Sequence, residues 1–460
     1  MRITKLTIKN FRGIREMELD FHEKMNVLIG INGAGKSSVL DAIATMLSWW
    51  DALRYRMERR QGEKFTISDI TNGTHETACT LQLHVEGKTK QPQWTIGINR
   101  NGQCSSETEM LLENEFATLR DTMSKLMDRR LGKDTSPPVL YYPINRTDHF
   151  FSDTSEIPNS TLAEILANRV PALETLQLLF SQSLSSLDVH VASIHANSNY
   201  RDFLTWMNNL QKEENLKLRE LQELGQDVSD PTSYQSPELI GVKRAWYSLF
   251  SGSLSNFIVK ESSYSGNSTY LSCRKNGMEI SDAQLSGGEK AILAIVGSIA
   301  HKYIKTNGFS SDPFDRCGIV LIDEIDLHLH PQWQRTILPK LMEIFTNTQF
   351  IVSTHSPQIL GELRSENIIR LEETESGIEV VPTNGETFGM SSDMILQTQM
   401  ASAERNKMVQ DMLEEAFRAV EYGELDKAKQ IKSELEKKAK DIPELLRLDM
   451  RISMKESIGR

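Results

Sequence analysis

An apolar run, Val27, Leu28 and Ile29, leads straight into Gly30-Ile31-Asn32-Gly33-Ala34-Gly35-Lys36-Ser37-Ser38. Beyond it, Val39, Leu40, Ile43, Ala44, Met46 and Leu47 recur on one helical face. Buried strand, glycine loop, helix is the order a phosphate-binding P-loop requires. Gly30, Gly33 and Gly35, with Asn32 and Ala34 between them, let backbone N–H groups close around phosphate oxygens, and Lys36 brings a positive charge to the β- and γ-phosphates. The Ser37 hydroxyl can ligate Mg2+, Ser38 follows in the same first turn, and the helix N-terminus adds favourable electrostatics. A glycine turn with an idle lysine is the plain alternative, and the flanking strand and helix speak against it.

Three more segments narrow the reading. Gly318-Ile319-Val320-Leu321-Ile322 is an apolar strand that ends in Asp323 and Glu324. Beside a P-loop, Asp323 would hold Mg2+ through water and Glu324 would polarise the attacking water. Many buried strands end in acids, so this pair gains weight only from its company. Phe350-Ile351-Val352-Ser353-Thr354 runs into His355. A lone histidine is usually just packed, but at the C-terminal end of a strand in the same sheet it can reach a γ-phosphate. Between P-loop and acids lies Leu285-Ser286-Gly287-Gly288-Glu289-Lys290, followed by Ala291, Ile292, Ile295, Val296 and Ile299 at helical spacing. A serine and two glycines opening a helix make a second anion-binding N-terminus. One nucleotide needs one cradle, and this chain has two.

The segment from Leu285 to Lys290 resembles the signature motif of ABC-type ATPases, and the order P-loop, signature, acidic strand end, histidine matches that superfamily. The resemblance implies an α/β fold: an ABC-type P-loop ATPase head with a helical insertion and a helical C-terminal tail. It also implies an ATP-sandwiched homodimer, in which Ser286, Gly287, Gly288 and Glu289 of one subunit cap the Mg-ATP held by the other. Glu324 would then activate water, and His355 would sense the developing charge.

The opening residues 3–14 alternate apolar and polar and then turn at Asn10-Phe11-Arg12-Gly13. That start is similar to RecF, Rad50 and SMC-like ATPases, and it adds Arg12 to the implied nucleotide contacts. Asp323-Glu324-Ile325-Asp326-Leu327-His328-Leu329-His330-Pro331 resembles the matching stretch of OLD-type and anti-phage ATPases. About 250 residues separate P-loop from signature, far more than a transporter ATPase domain uses. The head motifs, the mid-sized insertion, and a tail with Phe388, Gly389, Leu396, Ala416, Val420, Gly423 and Ala428 look most like the ATPase subunits of Septu anti-phage systems. Such ATPases also occur as retron effectors. The resemblance implies a small HNH nuclease as partner, room for a higher homo-oligomer, and nucleic acid reached through the complex. The alternative is a RecF- or Rad50-like repair or recombination ATPase acting directly on DNA.

Composition bounds these readings. The 460 residues suffice for one large or two modest domains, and 39% hydrophobic content suits a globular core. No apolar run approaches a membrane span and the N-terminus is not a signal peptide, so a cytoplasmic location with no membrane partner is expected. Cys79, Cys104, Cys273 and Cys317 lack metal-ligand spacing and read as reduced structural thiols. A net charge of −11 argues against indiscriminate DNA coating. Arg54, Arg56, Arg59, Arg60 and Lys64 form one basic cluster, and Arg129, Arg130 and Lys133 another. Each is either a backbone-phosphate contact or, more plainly, a solvated helix face.

Four segments are expected: residues 1–150 and 261–385 as the two parts of the head, 151–260 as the helical insertion, and 386–460 as the helical tail. Residues 80–85 and 94–98 read as strands with a turn at 99–102, 107–131 as a helix, 138–143 as a short buried strand, and 200–224 as one long amphipathic helix closed by Gly225. Trp49 and Trp50 read as helix-end packing. In the tail, Leu413, Ala416, Phe417 and Val420 need a partner surface, on the head or in an oligomer or nuclease interface. His190 and His195 have no plausible zinc partners, and no acidic cluster follows His355 as a TOPRIM nuclease would require. Any cutting would therefore fall to another chain. No glutamine stands out as the Q-loop residue.

Overall fold

A computed structural model describes residues 1–52, 62–87, 91–102, 137–144, 200–230, 234–261, 269–307, 313–400, 406–439 and 442–458. The expected helix at 107–131, Arg54, Arg56, Arg59, Arg60, Arg129, Arg130, Lys133, Cys104, His190, His195 and residues 151–199 of the insertion lie outside the described residues. The chain divides into two compact units, Met1–Gly389 and Met390–Arg460.

In the first unit, alternation interrupted by an irregularity between Ile3 and Lys5 builds an antiparallel sheet. β1 (Arg2–Phe11) turns Ile3, Leu6, Ile8 and Phe11 inward, and β2 (Ile14–Asp20) turns in Ile14, Met17 and Leu19. β4 (Glu76–His84) and β5 (Gln93–Asn99) complete the order β2-β1-β4-β5; they take in the strand expected at 94–98 and all but Val85 of the one expected at 80–85.

The central sheet has a different sequence character. β3 (Met25–Ile29), β6 (Val139–Tyr142), β10 (Gly318–Ile322) and β11 (Thr348–Ser353) are buried at every residue, as strands covered on both faces must be. With β12 (Ile368–Thr374) and β13 (Gly377–Val381) they run in the order β13-β12-β3-β11-β10-β6, all parallel except β13. α1 (Lys36–Ala52) lays Val39, Leu40, Ile43, Met46, Leu47 and Trp50 into one core shared by both sheets. Each large apolar side chain so buried contributes about 1.5–3 kcal/mol, so packing rather than helix propensity holds α1 in place. Trp49 Nε1 donates to Glu63 O at 2.6 Å, which places both tryptophans in helix-end packing.

A third sheet, β7 (Leu254–Glu261), β8 (Thr269–Lys275) and β9 (Met278–Ser281), is antiparallel and feeds the signature segment. α2 (Tyr200–Glu223) closes at Gly225, whose φ of +66° ends the helix. α3 (Pro237–Phe250) packs on α4 (Gly287–Asn307), where Gly297 leaves room for Trp246 and Phe203. α5 (Pro331–Ile344) and the single turn α6 (Pro357–Leu360) follow β10 and β11.

The second unit holds α7 (Ser392–Thr398), α8 (Lys407–Glu421), α9 (Leu425–Lys438) and α10 (Pro443–Ile458). Gly423, at φ +80°, makes the tight turn from α8 to α9. Ala416 and Val420 pack with Ala428, Leu448 and Ile452, with Phe417 against them, and Leu413 packs with Leu435 and Leu445. These tail positions pack in the tail's own bundle, a surface the sequence reading did not name. Helical period reports an apolar face but not what covers it. Among the described residues no helix is long and apolar enough to cross a membrane.

Candidate nucleotide site

Three neighbouring parallel strands deliver the candidate residues at their C-terminal ends. β3 runs into Gly30, β10 into Asp323 and Glu324, and β11 into Thr354 and His355. That is the rim at which open α/β sheets hold ligands.

The P-loop owes its shape to glycine at two positions. Gly30 has φ +152°, and a Cβ there would stand 2.4 Å from Leu371 O. Gly35 has φ +83°, and its Cβ would press on Ile378 at 3.0 Å. The hairpin of β12 and β13 therefore braces the loop from behind. Gly33, also left-handed at φ +84°, has nothing within 4 Å, so the loop's outer side is an open cradle. Ile31, Asn32, Gly33 and Ser37 are exposed, Ala34 is buried, and Gly35 and Ser38 are half-buried.

Lys36 is buried, and its Nζ donates to Gly30 O at 2.9 Å and Ile31 O at 3.1 Å. Burial holds its pKa below the ordinary lysine value, while the charges of Asp323, Glu324 and Asp326 oppose that shift. The same groups reach His355. Burial and Lys36 hold its pKa below the usual imidazole value against Asp326, Glu324 and Asp323. P-loop lysine, acids and histidine thus share one electrostatic neighbourhood.

Asp323 is buried; its N–H donates to Tyr142 O at 2.8 Å. Ser353 Oγ donates to the Asp323 carboxylate and accepts the Glu324 N–H at 2.7 Å. Glu324 sits at φ +46°, an uncommon conformation for a side chain of its size, and is half-exposed. Arg12, at φ +51°, is paired with Asp41 on α1 at 2.6 Å and with Asp69 at 2.9 Å, and Tyr141 donates to the other Asp41 oxygen at 2.6 Å. Arg12 is thereby tied to the helix that the P-loop opens.

The signature segment is a capping box. Glu289 Oε2 accepts the Ser286 N–H at 3.0 Å and the Ser286 hydroxyl at 2.9 Å, the Glu289 N–H returns to Ser286 Oγ at 3.3 Å, and Lys275 donates to Oε1 at 2.7 Å. Glu289 shapes the turn from within. Ser286 and Gly287 stay exposed, and Gly288 is buried against the backbone of His328.

The structure thus brings the P-loop, Asp323, Glu324 and His355 to one rim, and gives the signature its own turn at the start of α4. Sequence reading missed Ser353, Thr354, Asp326, Tyr142 and Lys275. The hydroxyls of Ser353 and Thr354, directly before His355 at a strand end, were the one local signal. Ser37 and Asp323 offer hard oxygen donors, which suit Mg2+.

A protein-family model described as the RecF/RecN/SMC N terminal domain matches residues 2–379. The chain is 28% identical over 404 residues to the Retron Ec83 probable ATPase of Escherichia coli, with 80% of this chain and 71% of that protein covered. It is 25% identical over 466 residues to the Retron Vc95 probable ATPase of Vibrio cholerae serotype O1 biovar El Tor, covering 94% and 86%. It is 26% identical over 380 residues to the Septu protein PtuA of Bacillus mycoides, covering 81% and 41%. Similarity is spread over retron and Septu proteins alike, so it does not single out the Septu ATPase that the motifs resemble. The family match spans P-loop, signature, acids and histidine together: the chain belongs to the RecF/RecN/SMC N-terminal domain family of P-loop ATPases.

Proposed function

We propose that this chain binds and hydrolyses ATP as the regulatory subunit of an anti-phage defence complex, with two heads closing around ATP to control a separate small HNH nuclease. One observation carries the reading: the head offers two separate glycine-bearing helix starts, which in this reading are the two halves of a shared nucleotide site. Phosphate-binding loop, acids and histidine meet at the β3, β11 and β10 strand ends, and a capped helix start leaves Ser286 and Gly287 exposed. The defence setting rests on the resemblance of the motifs to Septu ATPases, with which the similarity to retron and Septu proteins is in keeping.

In this reading the loop N–H groups and Lys36 bind the phosphates. Two of the three Lys36 ammonium hydrogens are committed to Gly30 and Ile31, which leaves one for a phosphate oxygen. Ser37 and Asp323 would hold Mg2+, whose charge offsets that of the phosphates. Glu324 orients the attacking water, and His355 faces the developing charge. Ser286, Gly287 and Gly288 reach the nucleotide of the second copy.

Lys36→Ala should abolish tight ATP binding. Glu324→Gln should keep binding, lose turnover and trap the dimer. Native mass spectrometry of the complex isolated through this chain tests the partner: a stoichiometric small HNH protein supports the defence reading. A bare homodimer whose DNA binding strengthens with ATP would replace it with a RecF-like reading, and RecF is among the proteins that the matched family's description names.

A further inference from the structure

One carboxylate outside the P-loop takes both the Thr354 side chain and the His355 backbone N–H. Asp326 Oδ1 accepts the Thr354 hydroxyl at 2.6 Å and the His355 N–H at 3.3 Å. The Thr354 hydroxyl in turn accepts the Ser356 N–H at 3.0 Å. Thr354 is fully buried, so water does not stand in for its partners. Asp326 is itself fixed. Its carbonyl accepts the Leu329 N–H at 3.0 Å, and the turn around it is closed by Leu327 N–H to Glu324 O and Ile325 N–H to Ser353 O, both at 3.0 Å. The turn after β10 and the loop after β11 are therefore one braced unit, with Asp326 as the brace.

Resting on the ATPase reading above, we propose that Asp326 is a positioning residue for hydrolysis: it fixes the backbone that carries the His355 imidazole and acts on the rate through that histidine. A residue that sets the aim of a reacting group governs kcat and leaves ground-state binding intact. Displacement of such a group by about 1 Å costs on the order of 100-fold in rate.

The test uses the full chain and compares Asp326→Ala, Asp326→Asn, Thr354→Val, Thr354→Ser, His355→Ala and the double variant D326A/H355A. ATP affinity, KM and kcat are read separately. Asp326→Ala should lower kcat roughly 10- to 100-fold with KM and ATP affinity within about twofold of the parent. Asp326→Asn keeps an acceptor oxygen for both donors and should recover most of kcat. Thr354→Ser should be near normal, and Thr354→Val impaired. The double variant should be no slower than His355→Ala.

Asp326→Ala at parental kcat, or a double variant markedly slower than His355→Ala, overturns the positioning role while leaving the ATPase reading intact. Loss of ATP affinity in Asp326→Ala in proportion to its loss of rate does the same. Parental turnover in His355→Ala overturns the histidine's role in the ATPase reading, and the inference falls with it. Should Asp326→Ala fail to fold, the near-isosteric Thr354→Val reads the same tie, and parental kcat there counts against the inference.

Discussion

The carbonyl oxygen of His328 lies 2.7 Å from the point where a Cβ on Gly288 would stand. His328 itself is left-handed at φ +65° and lies in the turn that follows Asp323 and Glu324. The adjacent Gly287 has open space around its missing side chain. The two signature glycines therefore answer to different constraints. Gly288→Ala should push backbone against backbone and cost about 1–3 kcal/mol of stability. Gly287→Ala should leave stability unchanged or slightly higher, because alanine favours a helix, and any loss should appear only in ATP-driven dimerisation. Thermal unfolding of both variants, with light scattering in ATP, separates them. Equal stabilities would remove the His328 contact as the reason for Gly288.

Ser353 links both acids of the β10 end through a single hydroxyl, with no solvent access. Ser353→Ala removes a donor to the Asp323 carboxylate and the acceptor of the Glu324 N–H. We expect a loss of about 1–3 kcal/mol in denaturant unfolding. Turnover should fall more than ATP affinity, because Glu324 holds its left-handed backbone through this bond. A variant with normal turnover would show that the Glu324 backbone is held without Ser353.

The parts legible in the sequence are those with local signals. β3, β10 and β11 are uninterrupted apolar runs that end in a glycine loop, an acid pair and a histidine, so strand, polarity and site read off together. The brace of Asp326 and the bridge of Ser353 were not legible. They join residues 28 and 30 positions apart, and they depend on the register that sets Ile322 beside Val352. No periodicity reports a side-chain bond between strands. The support of Gly30 by Leu371 and of Gly35 by Ile378 is likewise long-range. The capping box is the opposite case: Ser286 and Glu289 carry the S-x-x-E pattern openly, a structural meaning that competes with nucleotide contact for the same residue.

The tail unit has its own small core, in which Leu448 and Ala428 are fully buried and Ile452 nearly so. Leu448→Ala should cost about 2–5 kcal/mol within that unit. Hydrogen exchange should then accelerate in α8, α9 and α10 while the amides of β3, β10 and β11 keep their protection. ATP binding at Lys36 should be unaffected. Matching loss of protection in the central sheet would mean that the two units unfold together.

Glu289 makes the signature turn sensitive to acid. Burial pushes its carboxyl up, but the Lys275 ammonium and the Ser286 N–H and hydroxyl together outweigh burial and hold the pKa below the ordinary 4.5. A depressed value means that the unfolded chain binds more protons than the folded one in the window between the two pKa values. The cap's contribution is therefore complete above about pH 4.5 and fades as pH falls through the lower folded value. Glu289→Gln, neutral at every pH, removes that dependence. The difference in unfolding free energy between parent and Glu289→Gln, measured from pH 7 down to pH 3, should be constant above pH 5 and shrink below it. Lys275→Met should narrow the window by raising the folded pKa toward 4.5. A difference that stays flat to pH 3 would show that the carboxylate's charge contributes nothing to the turn and that only its shape matters.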